Sequence, residues 1–423
     1  MKFLKTIFKH ELISGASLIF VGAFFANILN FLFNLFMTRN LSAENYGILA
    51  TLNSLMTLAV LPAGAIVPIV LQFGALYFAK NQLEMARGLY FKITKPFFLF
   101  GTLIFILFVI FRGALAQFFR IEDESLIMLA ACTIYLGFIG VANPALLQAK
   151  LAFSFIAFTN LLSALLKLVI GVGMVLAGFS LGGVMWGLLI SSSVPYILSF
   201  LPLKFLLDKG IAAPKISLNT LLSYGAPASL ATFGLTSFVT TDIILVKHFF
   251  DPQAAGIYAT LSLVGRVIFF FSAPIGMVMF PLVAQKYARQ ENFHNTFKLA
   301  LFLVLLPSVP LTIFYFLFPE FTIQFFSKRE EHLVGAPFLG IFGVFVTIYA
   351  LLSIFTNFYL SIKKTKIFIP ITLGALLQAI GIWFYHESFL EVILISLVSV
   401  SLLLIVLLLY YWKLYGSKTR SKA

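Results

Sequence analysis

The sequence predicts an all-α integral membrane protein of about twelve transmembrane helices in two six-helix bundles, a parallel internal repeat with both termini in the cytoplasm. Three observations predict it. Apolar residues make up 61% of the chain and charged ones only 10%, with a mean hydropathy of +1.05. Soluble domains carry about 25% charged residues, so a water-soluble fold could not hide this surface. The charge of the loops alternates in sign along the chain. A sequence pattern also recurs near a fixed offset.

Taken in order, runs of apolar residues between polar breaks place spans at 12–37, 46–73, 96–118, 126–148, 152–177, 182–206, 220–247, 253–283, 295–318, 333–361, 367–385 and 389–412. Nothing shows the residue-by-residue alternation of an outer-membrane barrel. The loops assigned to the cytoplasm carry +17 and those assigned outside carry −4. This asymmetry is the positive-inside pattern, and it accounts for the net charge of +14 without a nucleic-acid partner. The basic, amphipathic start, Met1 to His10, lacks a cleavage site and reads as a retained first helix. The single cysteine, Cys132, sits in an apolar run, which leaves no intrachain disulfide and no thiolate metal cluster.

The repeat is read from three matches. Leu41-Ser42-Ala43-Glu44-Asn45-Tyr46-Gly47-Ile48-Leu49-Ala50-Thr51-Leu52 recurs 209 residues later as Phe250-Asp251-Pro252-Gln253-Ala254-Ala255-Gly256-Ile257-Tyr258-Ala259-Thr260-Leu261. Both copies look like a helix start, with Ser42 and Asp251 as N-caps and Pro252 in the first turn. Gln117-Phe118-Phe119 returns as Gln324-Phe325-Phe326, each followed by acids, and Lys150 corresponds to Lys363. The unit is about 210 residues with six spans, an even number, so both halves point the same way. The expected domains are 1–209 and 210–423.

Ionisable groups within spans are costly and mark function by default. Three stand there: Lys167, Asp242 and Arg266. Lys167 and Arg266 fall near mid-depth of the fifth and eighth spans. They are read as contacts for an anionic cargo or, equally, as structural partners of Asp242. Asp242 is read as a coupling or gating carboxylate, or as a water-exposed one at the interface. Asn160, Ser163 and Lys167 share a helix face, as do Asn27, Asn30 and Asn34 in the first span. Such asparagines line a wet cavity or bond to neighbouring helices. Pro62 and Pro274, in near-equivalent places of the two halves, mark candidate moving breaks, or kinks without a gating role.

An enzyme is not expected. The external loops are short, with no paired histidines, no metal-ligand spacing and no phosphate-binding Gly-rich loop, so neither metal nor cofactor is expected.

The turn Leu41-x4-Tyr46-Gly47-Ile48-Leu49-Ala50 resembles the polysaccharide biosynthesis and O-antigen flippase family. So do its echo Asp242-x8-Asp251-x4-Gly256-Ile257-Tyr258-Ala259 and the run Leu147-Gln148-Ala149-Lys150-x-Ala152-Phe153. That family belongs to the multidrug, oligosaccharidyl-lipid and polysaccharide exporter superfamily. The resemblance implies two bundles around a central cavity. It implies alternating access with a polyprenyl-pyrophosphate-linked oligosaccharide as cargo, moved from the cytoplasmic to the outer leaflet of a bacterial inner membrane. A proton or sodium ion is then the candidate coupling ion, with proteins of an envelope polysaccharide pathway as candidate partners. The rival readings are a cation-coupled multidrug antiporter of the same superfamily and a lipid-linked peptidoglycan precursor flippase. The first wants buried carboxylates where this chain has cations. The second usually carries more than twelve helices.

Overall fold

A computed structural model describes residues 11–207 and 218–419. The N-terminal segment Met1–His10 therefore lies outside the described residues. Among those described, regular structure is entirely helical. Ten helices are long and apolar enough to cross a membrane, or eleven when a bent pair counts as one span. In addition, helix α1 (Glu11–Asn40, 30 residues) stands where the first span is expected.

The second span is broken. Helix α2 (Ala43–Val60) gives way to a 3-10 segment, Leu61–Ile66, before α3 (Val67–Ala79). Pro62 and Pro68 open the two later pieces. A missing N–H is tolerated in a first turn but not in a helix interior, so the prolines set the break. The third span is α4 (Leu83–Ile110), followed by a short helix α5 (Arg112–Phe118). The fourth is α6 (Glu124–Gly140) with α7 (Ala142–Ala149), the fifth α8 (Phe153–Leu176) and the sixth α9 (Ser180–Ser199). The seventh is the bent pair α10 (Leu218–Phe238) and α11 (Thr241–Phe249). The eighth is α12 (Pro252–Gly265) and α13 (Val267–Ala288). Next come α14 (His294–Leu317), a short α15 (Pro319–Phe326) and α16 (Leu339–Ser361). The last two spans are α17 (Phe368–Phe384) and α18 (Phe389–Thr419).

The repeat has local counterparts in the structure. The Ser42 hydroxyl accepts from Asn45 N at 3.2 Å, and the Asp251 carboxylate accepts from Ala254 N at 2.9 Å. Both copies of the motif are thus capped as the sequence predicts. The second match produces two short helices, α5 and α15, each between two spans. In the third, the chain turns through a left-handed residue after the fourth and tenth spans, Leu151 (φ 61°) and Lys363 (φ 60°).

The chain clusters into two compact units. One is Met1–Leu41 with Ala59–Ala226, and the other is Ser42–Leu58 with Pro227–Ala423. Most of α2 therefore groups with the C-terminal sequence. In the first unit α8 packs along both α1 and α9, and α4 packs along α6. Close approach of α9 and α8 occurs at Gly187, where a Cβ would lie 3.1 Å from Gly171 N. Cys132 is half-buried and helps line a hollow of about 480 Å³ with Phe98, Phe105 and Tyr135. In the second unit α16 is the central helix, packed on α13, α14 and α18. Its core is aromatic, with Phe297 stacked on Phe358 at 4.0 Å.

The seventh span was expected to be continuous over 220–247. Instead it bends by 45° between Phe238 and Thr241. There the ladder tightens to three-residue spacing, with Val239 N donating to Thr236 O and Thr240 N to Ser237 O. A carbonyl released inside a membrane needs a protein donor. Gln378 supplies one: its Nε2 donates to Phe238 O at 2.9 Å and to Ser396 Oγ at 2.8 Å.

Candidate functional site

Each unit contains one of the expected in-span cations, in different company. In the first unit, Lys167 projects from α8 towards α1, which lies along it. Its Nζ donates to Asn30 Oδ1 at 3.3 Å and stands 4.4 Å from the centre of the Phe33 ring. A cation over an aromatic face is attracted by the ring quadrupole, by about 1 kcal/mol or more when desolvated. Neither partner is charged, and among the described residues no carboxylate lies within ion-pair distance of Lys167. The Asn30 amide nitrogen donates back to Ala26 O, and that of Asn34 to Asn30 O, both within α1. Only the Asn30 oxygen is thereby presented to the lysine. Asn27 and Asn160 are exposed. Ser163, one turn from Lys167, donates instead to Ser191 O of α9. The predicted face of Asn160, Ser163 and Lys167 is therefore divided between two neighbouring helices.

In the second unit, Asp242 opens α11 and is fully buried. This corrects the reading of a water-exposed interfacial carboxylate. The Tyr258 hydroxyl of α12 donates to Asp242 Oδ2 at 3.0 Å. Arg266, at the joint between α12 and α13, brings Nη2 to 4.0 Å from Asp242 Oδ1. That distance makes an ion pair but exceeds a hydrogen bond. The same oxygen and the Arg266 Nε and Nη2 groups have no hydrogen-bond partner. The pair is therefore closed electrostatically and left open in hydrogen bonding. Lys247, expected at the membrane edge, is fully buried, and so is His332.

Of the two prolines, Pro62 lies at the break in the second span. Pro274 lies within α13, eight residues past the one-residue turn at Arg266 that separates α12 from α13. Two contributors do not show themselves as site residues in the sequence, Phe33 and Tyr258. Tyr258 had a signal, because the aligned residue of the first copy is Leu49, so the second copy gains a hydroxyl inside a conserved frame. Phe33 had none beyond its spacing from Asn30.

No curated protein matches the chain at significant sequence similarity. Solved structures do match in fold. An inward-facing multidrug resistance MATE family transporter of the MOP superfamily has a TM-score of 0.74 at 15% identity, covering 94% of this chain and 96% of its own. The lipid II flippase MurJ in an inward closed conformation has a TM-score of 0.73 at 16% identity, covering 93% and 87%. A MOP superfamily transporter from Pyrococcus furiosus, described as having a binding pocket of reverse polarity, has a TM-score of 0.58 at 14% identity, covering 95% and 94%. A family model for polysaccharide biosynthesis proteins matches residues 36–329. The chain belongs to this polysaccharide biosynthesis family, as a multi-pass membrane protein with the fold of MOP superfamily transporters.

Proposed function

We propose that the protein is a flippase that moves a polyprenyl-pyrophosphate-linked oligosaccharide from the cytoplasmic to the outer leaflet of the inner membrane by alternating access. The observation that carries this reading is Lys167, a cation inside a span whose partners are an amide oxygen and an aromatic ring. An ammonium at the centre of a span costs about 3 kcal/mol, and here no described acid repays it. An anionic cargo group would. A pyrophosphate offers two charged centres, and a lipid tail keeps the cargo in the bilayer while its head group passes. The family match to polysaccharide biosynthesis supports a sugar head group. The likeness to a protein named as a lipid II flippase supports a lipid-linked one.

In this reading Lys167 meets the cargo phosphate, with Asn30 orienting the ammonium. Asn27, Asn34 and Asn160 offer amides to the sugar. Arg266 takes part by exchanging Asp242 for the cargo anion, and Asp242 then becomes free to take a proton or sodium ion. Pro62 supplies a hinge, and Pro274 sits in the helix that Arg266 introduces. Both termini face the cytoplasm, as the loop charges favour. The multidrug antiporter reading fares worse, because the buried carboxylate it needs is already covered by Tyr258 and Arg266.

The test is flipping of a fluorescent polyprenyl-pyrophosphate oligosaccharide in proteoliposomes, run beside efflux of a cationic dye. Cargo flipping without dye efflux is expected. Ion-driven dye efflux without flipping would overturn the proposal.

A further inference from the structure

We infer that Gly47 and Gly256, the same residue in the two copies of the repeated motif, form a backbone-to-backbone seal between α2 and α12 that must part for cargo to leave on the outer side. The inference rests on the alternating-access reading for its function, and on geometry for the seal. A Cβ added to Gly256 would lie 1.7 Å from Ala43 O, inside the backbone of α2. One added to Gly47 would lie 2.8 Å from Gly256 N. Both residues belong to the second compact unit, although Gly47 comes from the first copy of the repeat.

The surroundings suit a reversible seal. Ala43, Tyr46, Ile257 and Tyr258 are all buried, and the helices touch through backbone and small apolar groups. Membrane helices associate through such close approach of small residues, by dispersion and without a hydrophobic drive. Thr51 and Thr260, one turn further along each helix, are both fully buried. Each glycine lies four residues into its helix, about 6 Å from the start at 1.5 Å per residue. The contact thus sits near the loops expected outside. Both copies of the motif thus place a glycine at the crossing. The Asp242 partner Tyr258 follows Gly256 by two residues, so the seal and the buried ion pair share one helix.

The experiment replaces Cys132 with Ser and introduces Thr260→Cys as a reporter, labelled by a membrane-impermeant maleimide from the outer side. Without further change the reporter should be protected. Gly256→Ala should raise its labelling at least about tenfold, the scale of an overpacking penalty, and lower flipping by a similar factor. Gly47→Ala, with the smaller overlap, should do the same to a lesser degree. If Gly256→Ala does not reach the membrane, Gly47→Ala carries the test alone. A protected reporter in a Gly→Ala variant that is inserted in the membrane would overturn the seal. Labelling needs no cargo. A reporter that responds as expected in a protein that flips nothing would therefore sink the flippase reading and leave the seal standing.

Discussion

Lys167 and Arg266 make an instructive pair because a duplicated frame has given them opposite settings. Lys167 is a cation among neutral groups, half-buried, held by one amide oxygen and one ring. Arg266 faces a carboxylate of zero exposure that is also bonded to a tyrosine. The residue 211 positions beyond Lys167 is Gln378, again in the fifth span of its half. Lys167 reaches from the fifth span to the first, and Gln378 from the eleventh to the seventh. The architecture of the contact survives while its charge does not. Among the described residues, the first unit therefore holds a cation with no acid beside it. The second holds a buried carboxylate paired with a cation.

Substitutions test the difference between the two settings. The largest effect on stability is expected from Arg266→Ala. It strands Asp242 in the protein interior, and truncating one partner of a buried pair costs about 3 kcal/mol or more. A clear fall in melting temperature in detergent should accompany loss of flipping. Adding Asp242→Asn to Arg266→Ala should restore much of the melting temperature and none of the flipping. Gln378→Leu comes next. It removes the donor to Phe238 O and Ser396 Oγ and should cost about 1–2 kcal/mol, because a carbonyl at the bend loses its partner. Lys167→Ala should leave the melting temperature unchanged or raise it, since no described acid depends on it. The smallest effect is expected from Gly173→Ala in α8. A Cβ there meets nothing within 4 Å, and alanine is the better helix former by about 1 kcal/mol. Unchanged flipping there would set the baseline for Gly256→Ala.

Much of the fold was legible because lipid imposes a simple rule on sequence. Apolar runs must be long, and charges must collect at their ends. The repeat was legible because helix starts are local, so Ser42 and Asp251 announced themselves as caps. What stayed hidden depends on what comes near in space. Burial of Lys247 is invisible from its place at the end of an apolar run. The bend at Phe238 is made by a tight turn whose exposed carbonyl is served by a glutamine 140 residues away. The glycines of the duplicated motif were visible, but not that they touch. In-span charges are legible in a sequence because their cost is intrinsic, while Tyr258 and Phe33 matter only through the groups they meet.

The most direct measurement is the rate of flipping of the polyprenyl-pyrophosphate oligosaccharide by Lys167→Ala and wild-type protein, reconstituted at equal density, with melting temperatures recorded on the same preparations. Lys167→Ala should lose most of the flipping and none of the thermal stability. A variant that flips at the wild-type rate would return Lys167 to a packing role and remove the ground for an anionic cargo there.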